Sequence, residues 1–437
     1  MVGKRKETSM AYADLTREEL TAIKVDLEEE IGMFKARNLK LNMARGKPSS
    51  DQLDLSTEMQ TLLKTPSDFI SENGVDCRNY GELEGIDEAR RVMAVLLDDE
   101  MENVIVGGNS SLTLMYNSVA RYMDFGARGS KPWGDYDCIK WICPVPGYDR
   151  HFLITKSFGI DNIPVRMNAD GPDMDEVERI ASSDERVKGI WCVPKYSNPG
   201  GVTYSDEVVE RLGHLRCAAH DFRIFWDNAY SVHHLFDDAE NQDHLLDIAG
   251  PCRDSGNPNR YVKFASTSKV TVAGAGIAAM ASSPDNVAEF KERMGIATIG
   301  GDKLNQLRHA RFLKDADGIA VLMSKHAAIL RPKFELVERK LSEGLADVGE
   351  CTWSKPRGGY FVLFNAPHHT AQHIVRLASQ VGVVMTEAGS TWPNGVDPDD
   401  SEIRIAPTLP PIEELDVALD VFCCCVKLAY ISRLLAV

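Results

Sequence analysis

The sequence predicts an α/β fold with a largely parallel sheet flanked by helices, followed by a second, smaller α+β domain. Three observations lead there. From about residue 100, short apolar runs alternate with longer stretches of helical periodicity. The runs are continuously apolar rather than alternating, as strands covered on both faces require. After Ala310 this rhythm gives way to long helix, then the mixed segment Trp353–Asn365, then helix and strand again.

In chain order, Leu15 to Phe34 carries charged and apolar residues at helical spacing and predicts an amphipathic lead helix. Leu41 to Ser50 breaks the pattern with Gly46 and Pro48 and predicts a loop. Six runs follow as strands: Asn103–Val106, Asp137–Pro144, Gly189–Val193, Arg223–Trp226, Tyr261–Ala265 and Gly276–Ala281. Gly, Pro, Ser or Asn closes each one. The apolar run from Val421 to Ile431 is interrupted by Lys427 and predicts a buried last helix, since a membrane span needs about 18 or more apolar residues. The expected organisation is an N-terminal helix and loop over 1–55, a large domain over 56–325 and a C-terminal small domain over 326–437.

Composition removes several functional classes. With 43% apolar and 26% charged residues in 437, the chain has the balance of a globular protein of two or three domains. A net charge of −16 disfavours nucleic acid and anionic membranes as partners. The stretch from Met1 to Leu20 lacks the apolar core of a signal peptide. Ten cysteines without a CxxC pair suggest neither a zinc site nor a secreted disulfide framework, and a reducing cytoplasm is the expected location. Cys423-Cys424-Cys425 reads as buried small apolar residues, and no metal site is expected.

The polar residues with chemical potential sit just beyond the predicted strands, where open α/β sheets bind ligands. Lys269, in Ser266-Thr267-Ser268-Lys269, follows one strand; burial would lower its pKa and free the amine for Schiff-base formation, and a surface turn is the competing reading. Asp227, in Asp227-Asn228-Ala229-Tyr230, ends another. A buried carboxylate needs a cationic partner, which a pyridinium nitrogen would supply; a structural ion pair with a packed tyrosine is the alternative. Tyr230 could donate to the phenolic oxygen of the same ring. Asn198 precedes Pro199 and is held extended, so that its amide can reach the same oxygen, unless the dipeptide is a plain turn. Gly107-Gly108-Asn109-Ser110-Ser111 joins a strand to a helix, either as an anion site at the helix N-terminus or as a simple cap on Asn109 or Ser110. Arg404, in Ile403-Arg404-Ile405-Ala406-Pro407, is a guanidinium in an apolar segment and calls for a bidentate carboxylate, from a substrate or from a buried acid.

Together these residues resemble the fold-type I, class I aminotransferases that depend on pyridoxal 5′-phosphate, and most closely a divergent branch of aspartate aminotransferases. The resemblance runs from about Leu41 to the end, through Asn79-Tyr80-Gly81, Val106 to Ser111, Cys143 to Arg150, Trp191 to Pro199, Trp226 to Tyr230, Ser266 to Lys269 and Ile403 to Pro407. It implies a seven-stranded type of sheet in the large domain, Lys269 as the Schiff-base lysine and Asp227 as the partner of the pyridine nitrogen. Asn198 and Tyr230 would bond the phenolic oxygen, Tyr148 would stack on the ring, and Gly108, Asn109, Ser110 and Ser266 would grip the phosphate. Tyr80 would reach the phosphate of a neighbouring subunit, implying a homodimer with shared active sites. Arg404 would clamp the substrate α-carboxylate, with Gly46 beside it. One departure stands out: the arginine usual after the lysine is missing between Val270 and Ser283, leaving Arg308 or Lys303 as candidate substitutes. The function implied is amino-group exchange between amino acids and 2-oxo acids, with aspartate and 2-oxoglutarate as the expected pair, by a ping-pong cycle. The alternatives are another reaction of the same cofactor, such as a β-lyase or synthase, and a sensor domain of this fold. The sensor reading would require a winged-helix domain, for which some 40 N-terminal residues are too few.

Overall fold

The computed structural model describes residues 11–436, so the first ten residues of the predicted N-terminal segment, and Val437, lie outside the described residues. The lead helix runs Arg17–Ala36. Thr16 starts it with a capping box: its Oγ1 accepts from Glu19 N at 3.3 Å, and Glu19 Oε2 accepts from Thr16 N at 2.8 Å. Its Leu20, Leu27 and Ile31 pack in one core with Leu419 and Phe422 of the last helix, Ile412–Ala436. Cys423, Cys424 and Cys425 are buried in that last helix, and no metal-binding cluster occurs among the described residues. No helix among the described residues is long and apolar enough to cross a membrane.

Among the described residues thirteen strands follow one another as β1 (Leu41–Asn42), β2 (Val104–Val106), β3 (Lys140–Val145), β4 (Asp161–Asn168), β5 (Gly171–Pro172), β6 (Val187–Cys192), β7 (Arg223–Asp227), β8 (Tyr261–Ser266), β9 (Ala278–Ser282), β10 (Thr352–Trp353), β11 (Val362–Asn365), β12 (Val383–Val384) and β13 (Glu402–Ile405). The large sheet has the order β2-β9-β8-β7-β6-β3-β4-β5. Its central strands β8, β7, β6, β3 and β4 are parallel, whereas β9 runs antiparallel to both its neighbours and β5 antiparallel to β4. All six predicted runs are strands of this sheet. Their largely apolar character has a simple cause: on β7, Phe225 enters the core on one face with Trp141 and Phe264, while Ile224 and Trp226 enter the core on the other.

Sequence reasoning missed β4, whose Asp161, Pro164, Arg166 and Asn168 are exposed and give no strand-like run. It also treated Leu41 to Ser50 as loop throughout; two of these residues form β1, paired with β12. A three-stranded antiparallel sheet, β10-β11-β13, places Arg404 opposite Leu363. The helix Ala316–Gly344 runs unbroken through position 325/326 and serves two cores. Ile319, Leu322 and Met323 pack with Val106 and Ala279 of the large sheet, and Leu330, Phe334 and Val337 pack with the terminal helices.

Candidate active site

Four neighbouring parallel strands, β8, β7, β6 and β3, lead at their carboxyl ends to Lys269, Asp227, Asn198 and Tyr148 respectively. All four residues line one cavity of about 790 Å³, together with Tyr230, Ser110, Ser266, Gly46 and Arg404. Nine predicted site residues, separated by up to 358 positions between Gly46 and Arg404, thus meet in one space.

Asp227 closes β7 and is buried. Its Oδ2 accepts from His151 Nε2 at 3.0 Å, while its Oδ1 has no partner. A buried carboxylate oxygen left unpaired is costly, so this atom marks a place for a donor from outside the chain. Lys269 follows β8 on the 3₁₀ turn Thr267–Lys269. Burial holds its amine below the ordinary lysine value, and Asp227 pulls it partly back. Its Nζ lies 5.0 Å from the Tyr230 ring centre and 5.9 Å from that of Tyr360.

Burial pushes the Tyr230 hydroxyl well above its usual range, and Tyr148 and Asp227 add to the shift, so at neutral pH Tyr230 is a proton-bearing donor. The Tyr148 hydroxyl is pushed up to about 12, again chiefly by burial. Its ring meets His151 edge-on at 5.0 Å, and His151 stacks on Trp191 at 4.5 Å. The imidazole that steadies Asp227 is therefore itself fixed on two sides.

Arg404 reaches the cavity from β13. Its Nη1 donates to Asn198 Oδ1 at 3.1 Å and to Asp149 Oδ1 at 3.4 Å, and its Nε donates to Thr386 Oγ1 at 3.4 Å. Among the described residues Nη2 has no hydrogen-bond partner. Because Arg404 occupies the Asn198 oxygen, the Asn198 NH₂ group is the end left for a ligand. The guanidinium lies 4.9 Å from the Phe361 ring centre, and a Cβ on Gly46 would overlap that same ring. Gly46 is thus a glycine because Phe361 needs the space.

The opposite end of the cavity suits an anion. Ser110 precedes the helix Ser111–Phe125, yet its side chain makes no capping bond, leaving hydroxyl and first-turn N–H groups available. Ser266 and Ser268 face the same cavity, their hydroxyls 3.1 Å apart. Gly108 and Asn109 are not in the lining: Gly108 O accepts from Ala278 N at 3.0 Å, continuing the β2–β9 ladder, and Asn109 is exposed. Tyr80 is exposed and outside the lining. Lys303 and Arg308 do not line the cavity either. Lys303 Nζ donates to Gly81 O at 3.0 Å, and Arg308 Nη1 to Gln60 Oε1 at 3.4 Å.

Sequence reasoning missed His151, although it stands directly after the motif Cys143 to Arg150, in the first turn of the helix Asp149–Ser157 that Tyr148 precedes. It also missed Phe361 and Thr386, whose residue types carry no chemical signal of their own.

Three comparisons with known proteins bear on this cavity. Residues 15–436 match the family model described as aspartate amino-transferase. An aspartate aminotransferase of Corynebacterium glutamicum is 44% identical over 97% of this chain and 97% of its own length. A crystal structure of an aspartate transaminase from Corynebacterium glutamicum superposes with a TM-score of 0.93 over 97% of this chain and 99% of that chain, at 44% identity. The α-aminoadipate aminotransferase of Thermus thermophilus, solved in complex with N-(5′-phosphopyridoxyl)-L-leucine, is 18% identical with a TM-score of 0.72 over 90% of this chain and 94% of that chain, and shares the fold.

Proposed function

Since the chain belongs to the aspartate aminotransferase family and is an enzyme that transfers amino groups, we propose that it uses pyridoxal 5′-phosphate on Lys269 to move the amino group of aspartate to 2-oxoglutarate. The observation that carries this reading is the unpaired, buried Asp227 Oδ1 in the same cavity as the Lys269 amine. A protonated pyridine nitrogen is the kind of donor such an oxygen requires. The serine hydroxyls and helix N-terminus suit a phosphate, while Tyr230 and the Asn198 NH₂ group suit a phenolic oxygen. When bound, the cofactor supplies an electron sink for the carbon that loses its proton.

The chain's own residues do the rest. Arg404 binds the α-carboxylate of each substrate through the guanidinium edge that its neighbours leave open. Lys269 Nζ, with its lowered proton affinity, is the base that takes the α-proton and the acid that returns it. Asp227, steadied by His151, holds a proton on the group opposite its Oδ1. Tyr230 keeps its own proton and donates a hydrogen bond.

The domain division 1–55, 56–325 and 326–437 belongs to this reading, as do a cytoplasmic location and a homodimer with shared sites. Tyr80, Ile296 and Ile299 are 81%, 77% and 64% exposed. Gly81 and Gly300 pack so closely that a Cβ on Gly300 would strike Gly81 O, so these apolar side chains lie near one another on the surface. Such a patch is what a second copy would cover. A fully active monomer by light scattering would contradict this assembly. The substrate pair is tested by coupling oxaloacetate formation to its reduction. Transfer only from other donors would remove aspartate, and no transfer from any amino acid would remove the reading itself.

A further inference from the structure

The side of the Lys269 turn facing away from the cavity holds buried polar groups for which the reading above has no use. Three histidines from three separate elements meet three successive residues there. His233, beyond β7, lies with its Nε2 3.4 Å from Lys269 O. His326, in the helix Ala316–Gly344, donates from Nε2 to Val270 O at 3.0 Å. His309, in the helix Lys303–Leu313, has its Nε2 3.0 Å from Thr271 Oγ1. All three are buried, and burial lowers their proton affinity: His233 far below the usual value, His309 and His326 to about 4.

A neutral imidazole has one N–H and one lone pair, so its partners fix the tautomer. A carbonyl can only accept. His326 therefore carries its proton on Nε2, and its Nδ1 accepts from Gln52 Nε2 at 3.0 Å. His309 Nδ1 lies 2.8 Å from Asn305 O, so the proton sits on Nδ1 and Nε2 accepts from the Thr271 hydroxyl. The two rings hold the turn in opposite senses, one by giving a proton and one by taking it.

Gln52 extends the arrangement towards the substrate end. It is fully buried, accepts from Ser49 N at 3.1 Å and donates to Tyr360 Oη at 2.9 Å as well as to His326. Ser49 continues the segment that carries Gly46, and Tyr360 precedes Phe361, the ring beneath Arg404. One chain of hydrogen bonds thus joins the carbonyl next to Lys269 with the segments that shape the carboxylate site.

We propose that His326, oriented by Gln52, is a positioning residue that fixes the Lys269 turn relative to the Gly46 and Phe361 segments, so that amine and substrate carboxylate are held in register. This rests on the assignment of Lys269 and Arg404 made above. The amine needs freedom to move and its backbone must not move with it. Nζ has no hydrogen-bond partner among the described residues, while the carbonyls of residues 269 and 270 are both held. A misplacement of about 1 Å in such a site costs up to roughly 100-fold in rate.

The test uses the full-length chain. In the wild type, the pH dependence of acylation of the Lys269 peptide, read by mass spectrometry before cofactor is added, reports the proton affinity of the amine. Steady-state kinetics with aspartate then give kcat and KM. His326→Phe keeps a ring but loses both bonds; His326→Gln restores a donor for Val270 O. The expected result for His326→Phe is a Lys269 amine shifted up towards the ordinary lysine value and a kcat lower by roughly 10- to 100-fold at little-changed KM. His326→Gln should recover most of both. If His326→Phe does not fold, Gln52→Leu, which leaves the imidazole without its orienting donor, should move both readouts the same way. An unmoved Lys269 titration, or a His326→Gln no better than His326→Phe, would overturn the proposal. Failure of the function itself is distinguishable: wild-type Lys269 would then titrate like a surface lysine, or borohydride would fix the cofactor to another residue.

Discussion

The two sides of the turn carrying Lys269 contain similar numbers of buried polar side chains and satisfy them differently. Facing the cavity, Asp227 Oδ1 has no partner, and Arg404 Nη2 and the Lys269 amine have none among the described residues. Facing away, Gln52, His309 and His326 are paired at both ends, while His233 Nδ1 and Ser49 Oγ are left over. Unpaired groups are tolerated where something from outside completes them, and paired groups are needed where the backbone must stay still. At this turn, the unpaired atoms on the cavity side are the ones a ligand can complete.

Substitutions at the unpaired side should cost activity far more than stability. On the proposed reading, Lys269→Ala removes both the covalent anchor and the proton carrier. Transamination should fall by roughly 10⁴-fold or more, while the melting temperature holds or rises because a buried amine is gone. Activity near wild type, or borohydride labelling at another lysine, would place the anchor elsewhere.

Asp227→Asn keeps the shape of the side chain and loses the charge that faces the unfilled position. Leaving a buried cation without its counter-charge costs about 3–5 kcal/mol, so kcat/KM should fall by roughly two to four orders of magnitude. The visible spectrum should show a cofactor bound less tightly and with altered protonation. If spectrum and rate are unchanged, Oδ1 is unpaired for some reason other than a ligand.

Arg404→Lys keeps the charge and loses the two-pronged geometry. The expected cost is about 2–4 kcal/mol, roughly 30- to 1000-fold in kcat/KM. It should be equal for aspartate and for a donor with a neutral side chain, because both carry the α-carboxylate. Damage confined to acidic donors would assign Arg404 to the side-chain carboxylate instead, and no damage would make it a structural ion pair with Asp149.

The paired side should reveal itself through acid stability. Burial lowers His326 from the ordinary histidine value of 6.5 to about 4, so between these values the unfolded chain binds a proton that the folded chain does not. Stability is thus lost as the pH falls from about 6.5 through about 4. Glu402, raised by burial from 4.5 to about 7, acts in the opposite sense over nearly the same window, so the comparison is made between variants. Between pH 7 and pH 4, His326→Gln should lose less stability than the wild type by about 2–3 kcal/mol, measured by urea unfolding at each pH. Parallel pH profiles would mean that His326 is not buried in neutral form.

How much of this was legible beforehand depends on whether the signal was local. The six apolar runs were readable because a strand of a doubly covered sheet is apolar at most positions, whatever its neighbours are. Lys269, Asp227, Asn198 and Tyr148 were readable as candidates because each follows such a run. β4 was not, since half of its residues face solvent and Pro164 interrupts it. The direction of β9 was not either: an antiparallel strand buried on both faces has the same composition as a parallel one. His309 and His326 resembled any other helical histidines, because what distinguishes them is the carbonyl or hydroxyl each one meets.

By itself, then, the sequence determined the fold class, six strands of the large sheet and the residue types capable of the chemistry, since these depend on interactions between near neighbours and on the hydrophobic demand of a single element. Only the tertiary structure decided which of those groups share a cavity and which are left without partners. It placed Gly46 against Phe361, Asn198 against Arg404 and Gln52 against His326, pairs separated by 315, 206 and 274 positions. The reason is physical: whether a buried polar atom is satisfied depends on every element that packs around it, and no stretch of sequence contains that information.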